Sequence, residues 1–166
     1  MKLVRKLDAG PIVAQIAAAV LETDTTATLG DRLSSLAAEM LPDVARRYVV
    51  GALTPTPQDD AEATFTREWS TADAEIDWNR SAPEIERLVR AADPWPIAWT
   101  LDGETRLRVL SARVGAGSEP ANPPVGTVSM VDGGVGIQTA DGRLVLLTVQ
   151  PAGKPAMAAR DWWRGT

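Results

Sequence analysis

Few residues in this chain can do acid–base or nucleophilic chemistry. Its 166 residues include no cysteine and no histidine, which excludes a thiolate nucleophile, a zinc ribbon, a disulfide framework and the commonest general base and metal ligand. Carboxylates and cations remain. Asp8 lies in "LDAGPI", ahead of the turn-forming Ala9-Gly10-Pro11, where a carboxylate reads as a solvent-facing turn residue. The adjacent Asp59 and Asp60 sit in a polar, proline-containing stretch with no third ligand in view, and they read as solvated. "GGVG" at 133–136 has no helix after it, so it reads as a hairpin turn rather than a phosphate loop.

The cations are more informative. Arg87 and Arg90 are three apart on an expected helix, and Arg106 and Arg108 share one side of an expected strand, so each pair can track a phosphate backbone. Arg80, Arg113, Lys154 and Arg160 complete the candidate set, with Lys154, in "QPAGKPAM", the best single choice. The bland alternative is a solvated face balanced by Glu84, Glu86 and Glu104. The net charge of −5 arises entirely in residues 1–80, with 8 Lys/Arg against 13 Asp/Glu, while residues 81–166 carry 9 of each. The second half is therefore the better surface for an anionic partner, although it has no basic excess.

The elements that must position these groups follow from periodicity. "PIVAQIAAAV" reads as a short strand, although its alanines also suit a helix. Leu29, Leu33, Leu36, Met40, Val44 and Tyr48 recur at helical spacing, with Thr28 and Asp31 as a capping pair, a kink or break at Pro42 and a stop at Gly51. Residues 53–75 read as a polar linker pinned by Phe65 and Trp69. In "SAPEIERLVRAAD", Ser81 and Glu84 form a capping box, Ile85, Leu88, Val89 and Ala92 form a buried stripe, and Asp93 before Pro94 ends the helix. Alternation and the pairs Asp102-Gly103, Asp132-Gly133 and Asp141-Gly142 then predict strands over 97–101, 105–114, 126–131, 134–140 and 143–150. The loop "GAGSEPANPPVG" joins the second and third, and "PAMAARDWWRG" reads as a last helix. The corner "DPWPIAWT" is expected to bury Trp95 and Trp99, roughly 150–250 Å² each. The longest apolar run, "PIVAQIAAAVL", is too short to span a bilayer, and "MKLVRKLDAG" lacks the layout of a signal peptide, so a cytoplasmic protein with no membrane partner is expected.

Several of these stretches together resemble one family. "IDWNRSAPEIERLVRAADPWPIAWT" and "LLTVQPAGKPAM" are similar to the tryptophan-proline and Gln-Pro-Ala-Gly-Lys motifs of methionyl-tRNA formyltransferases; "TLGDRL", "PTPQDDAEATF" and "LDAGPI" resemble further motifs of that family in the same order. The resemblance covers essentially the whole chain. It implies an α+β chain in three parts. A remnant strand and helix of a Rossmann-like catalytic domain occupy 1–52, a linker 53–75, and an OB-like five-stranded barrel with flanking helices 76–166. It also implies formyl transfer from 10-formyltetrahydrofolate to the amino group of methionyl-initiator tRNA, with the barrel domain contacting the tRNA.

The resemblance makes Asp8 one of three polar catalytic groups, the others being an asparagine and a histidine upstream in the family. Since the chain has no histidine, the expectation is that it does not transfer formyl groups alone and binds no cofactor of its own. Its expected partners are initiator tRNA and either a separate amino-terminal half or a second copy meeting an exposed sheet edge. The other readings are a structural or dimerising module and a piece of a sugar-nucleotide formyltransferase. Glu68 and Thr71 stand where the family has lysines, Pro155 replaces another lysine and Ile97 a glycine, departures that weaken the expected phosphate attraction.

Overall fold

The computed structural model describes residues 1–116 and 123–165. The loop expected between the second and third strands runs through 117–122, outside the described residues. The chain divides into two compact units, Met1–Asp24 with Thr28–Glu68, and Thr25–Ala27 with Trp69–Thr166.

The first unit is built on one long helix. Helix α1 spans Thr26–Val49, starting two residues ahead of the expected Thr28 cap. It runs unbroken through Pro42, correcting the expected break. Ala38, whose carbonyl loses its bond to residue 42, is exposed like Pro42, so the missing bond falls on the solvent side of the helix, where it costs least. Gly51, at φ +75°, ends the helix as predicted. Its N–H donates to the Tyr48 carbonyl at 3.1 Å and that of Ala52 to Arg47 at 2.8 Å, the paired bonds of a left-handed cap. The apolar stripe is only half covered: Leu29, Leu36, Met40, Val44 and Tyr48 are half-buried, Leu33 is exposed, and no α1 residue is fully buried.

The strand read at 11–20 is not formed. Only an isolated antiparallel bridge joins Ile12 to Thr56, because a strand needs a neighbour along its length and one pairing position is supplied here. Ile16, Val20 and Leu21 are exposed. The approach to α1 is held instead by the buried carboxylate of Asp24, which accepts from the Leu21 N–H at 2.7 Å and pairs with Arg32. Arg32 also donates to the Ala19 carbonyl at 2.9 Å. Phe65, expected as a pin, is 88% exposed.

The second unit contains the hydrophobic core. Helix α2 spans Ala82–Ala91 and begins with the predicted capping box: the Ser81 hydroxyl and N–H both donate to Glu84, at 2.6 and 3.0 Å. These bonds hold the Glu84 carboxyl below its usual range, the hydroxyl contributing most. Ala82 N–H donates to the Asp141 carbonyl at 2.9 Å, tying the start of α2 to a sheet turn. Ile85, Val89 and Ala92 are buried and Leu88 is half-buried, so the predicted stripe faces the core.

The strands are β1 Trp99–Asp102, β2 Thr105–Val114, β3 Val128–Val131, β4 Gly134–Gln138, β5 Arg143–Pro151 and β6 Met157–Ala158, followed by helix α3 at Ala159–Arg164. All pair antiparallel, in the order β1-β2-β5-β4-β3, with β6 added to β5. Two register shifts between β2 and β5, around Ser111, are irregularities of the kind that bend a strand, and the sheet curls. Leu107, Val109, Val135, Leu144, Leu146 and Val149, each at most 2% exposed, make the inner face, with Trp162 of α3 on the same cluster.

Several expectations for this unit need correction, among them the start of β3, at 128 rather than 126. Among the described residues the sheet has six strands rather than five, because Met157–Ala158, expected as helix, pairs with β5. β1 starts at 99, since Ile97 has φ +68° and cannot extend a strand. β4 ends at Gln138 because Thr139 leaves the ladder, its hydroxyl donating toward the carbonyls of Asp141 and Gly142 at 2.8 and 2.9 Å. Trp95 is 56% exposed, so of the two corner tryptophans only Trp99, 8% exposed, belongs to the core.

Candidate functional site

Alternation along β2 sends Leu107 and Val109 inward and leaves Arg106 and Arg108 on the outer face, as period-two spacing requires. Cross-strand register puts Trp99 and Gln150 beside Arg108 from its two sides, and the Arg108 guanidinium reaches the Gln150 side-chain oxygen at 3.5 Å. After Pro151 the chain turns sharply through Gly153, at φ +73°, and Lys154 N–H donates to the Pro151 carbonyl at 3.1 Å. Ala152 N–H donates to the Arg106 carbonyl at 3.1 Å, and the Gln150 side-chain amide to the Lys154 carbonyl at 3.2 Å. The turn is thereby fastened to β2, and Lys154 is brought to Arg106 and Arg108.

Together these residues line a cleft of about 280 Å³, bounded by Arg106, Arg108, Gln150, Pro151, Ala152, Gly153 and Lys154. No carboxylate is among the lining residues, and among the described residues none of the three cations is in an ion pair. A concave surface with three cations and an amide attracts an anion and offers it several donors. The Arg106 guanidinium lies over the Trp99 ring, 4.0 Å from its centroid.

The other candidate cations are elsewhere. Arg90 is committed to Glu86, its Nε at 2.7 Å from the carboxylate, and Arg160 lies beside Asp161 at 3.8 Å. Arg113 donates to the Asp132 carbonyl at 2.8 Å and so braces the β3–β4 turn. Arg80 and Arg87 are exposed. Selection by charge and spacing missed Gln150 and Trp99. The glutamine adjoins "PAGK" in the sequence, but its pairing with Arg108 depends on long-range register.

Asp8 belongs to a second, separate arrangement in the first unit. It is exposed and has φ +52°, a conformation aspartate tolerates better than most residues. The Gln58 side-chain amide donates to the carbonyls of both Asp8 and Gly10, at 2.8 and 2.7 Å. Gly10 is required sterically, because a Cβ there would lie 1.8 Å from the Lys2 carbonyl oxygen. Lys6 pairs with Asp60 at 2.9 Å, so that neighbour of Asp59 serves as an ion-pair partner. Among the described residues no group of three His, Cys, Asp or Glu side chains could hold a metal, and no helix is long and apolar enough to cross a membrane.

Residues 69–166 match the family described as formyl transferase, C-terminal domain. The methionyl-tRNA formyltransferase of Roseiflexus castenholzii is 44% identical over 165 residues, which is 99% of this chain and 52% of that protein. The chain spans about half the length of the curated relatives it matches. Among solved structures, a HypX variant from Aquifex aeolicus superimposes with a TM-score of 0.73 at 18% identity, covering 96% of this chain and 29% of that one. The N-formyltransferase of Helicobacter canadensis, solved with folinic acid and dTDP-3-aminofucose, gives a TM-score of 0.62 at 15% identity, covering 90% of this chain and 53% of that one. At these identities the structural likeness is one of fold.

Proposed function

Because the chain belongs to the formyl transferase C-terminal domain family and aligns with the carboxyl-terminal half of methionyl-tRNA formyltransferases, we propose that its second unit is a tRNA-contacting module. In this reading the complete enzyme works in the cytoplasm at translation initiation, moving a formyl group from 10-formyltetrahydrofolate to methionyl-initiator tRNA. The cleft at Arg106, Arg108 and Lys154 carries the reading, because three cations without an ion pair among the described residues suit a phosphate backbone. Arg80 and Arg87 extend the contact surface, with Arg90, Arg113 and Arg160 as secondary contributors. An OB-like arrangement of the curled sheet belongs to the same proposal.

Asp8 is proposed as a catalytic group of the complete enzyme, and the chain alone as inactive in formyl transfer, since it contains no histidine to serve beside it. A second folded part is a natural partner of the first unit, where Leu3, Leu7, Val20 and Val49 are 98%, 89%, 71% and 82% exposed. Titrating the chain with initiator tRNA at two salt concentrations tests the reading. Binding that weakens steeply with salt supports it; equal or absent binding at both overturns it.

A further inference from the structure

We infer that Trp99 is a positioning residue for anion binding, holding Arg106 as a fixed donor in the cleft; this rests on the tRNA-contacting reading above. Trp99 is held by ring and backbone: its Nε1–H donates to the Thr71 carbonyl at 2.7 Å, and its carbonyl accepts from the Ile76 N–H at 2.8 Å. Only 8% of the residue is exposed. The Arg106 guanidinium covers it at 4.0 Å from the centroid. A cation held over a ring keeps its full charge, and the guanidinium N–H groups not turned to the ring can meet a phosphate.

The same logic extends across the cleft. Arg108 is steadied by the Gln150 amide oxygen and the Lys154 backbone by the Gln150 amide nitrogen, at 3.5 and 3.2 Å. Each tether is electrically neutral. A carboxylate would order a guanidinium equally well but would cancel the charge it presents; a ring or an amide orders the cation and leaves its charge intact. The ligand implied is an RNA phosphodiester.

The test is tRNA binding by the chain with Trp99→Phe, Arg106→Lys and Arg106→Gln, singly and as Trp99→Phe in the Arg106→Gln background. Phenylalanine keeps an apolar ring but weakens the cation attraction, and lysine keeps the charge but loses the planar stack. Trp99→Phe is expected to weaken binding about 3- to 10-fold in the parent and to have no further effect beside Arg106→Gln. Arg106→Lys, which alters no core residue, is expected to fall closer to Arg106→Gln than to the parent. Equal losses from Trp99→Phe in both backgrounds, or parent-like binding by Arg106→Lys, overturn the positioning role while leaving tRNA binding intact. Absence of salt-sensitive binding by the parent overturns both readings.

Discussion

Gln58 clamps the Asp8 loop from 50 residues downstream, its side-chain amide bonding the Asp8 carbonyl at 2.8 Å and, two residues on, that of Gly10. Two of the motifs read separately in the sequence are therefore one structural device. Replacing Gln58 with leucine removes both donors and is expected to destabilise the loop by about 1–2 kcal/mol. Hydrogen exchange at the Ile12 amide, which donates to the Thr56 carbonyl at 2.8 Å next to this loop, measures this; protection equal to that of the parent would refute the clamp.

Ile97 occupies the left-handed region at φ +68°, where a β-branched side chain is strained. Ile97→Ala removes side-chain contacts yet keeps a Cβ in the unfavourable conformation, whereas Ile97→Gly removes the conflict. The glycine variant is expected to be more stable than the alanine variant by about 1 kcal/mol, after the greater chain entropy of glycine is set against relief of about 1–2 kcal/mol. Urea denaturation of the two variants decides the sign.

Salt dependence separates cleft cations from the rest. Arg108→Ala and Lys154→Ala are each expected to reduce the slope of log affinity against log salt by about one for tRNA. Arg90→Ala and Arg160→Ala are expected to reduce it by clearly less than one, because those side chains already face the Glu86 and Asp161 carboxylates. Fluorescence titrations over a salt series would show whether the two groups divide this way.

The capping box gives a prediction in pH. Bonds from the Ser81 hydroxyl and N–H depress the folded-state pKa of Glu84 below its unfolded value, so their contribution is present in full above the unfolded value and is lost as pH falls through the folded one. Asp77 behaves alike, its carboxyl held down by the backbone and side chain of Asn79. In Ser81→Ala the Glu84 midpoint, followed by carboxyl carbon chemical shift, is expected to move upward, and stability to fall less steeply on acidification. An unmoved midpoint would show that the hydroxyl contributes nothing.

What could be read beforehand was what nearby residues decide. Helix α2 was legible because its cap, proline and apolar stripe all lie within residues 81–93, and the turns were legible because glycine supplies positive φ at Gly103, Gly133 and Gly142. The alternation that put Arg106 beside Arg108 is likewise local. The strand expected at 11–20 failed because its pairing depends on a neighbour, which periodicity does not provide. Met157–Ala158 was missed for the converse reason, since β5 captures two residues whose own propensities suit a helix. The cleft itself was legible only in part: charge and spacing picked out its cations, while Gln150 and Trp99 enter through register and tertiary contact.

Not one residue of α1 reaches full burial, whereas the second unit seals eight isoleucine, leucine and valine side chains at 2% exposure or less. Two such bodies are expected to melt separately. Calorimetry on the isolated chain should record a shallow, low-temperature endotherm followed by a sharp one, and no single melting temperature will describe the polypeptide. Any stabilising substitution has to be credited to the transition it moves.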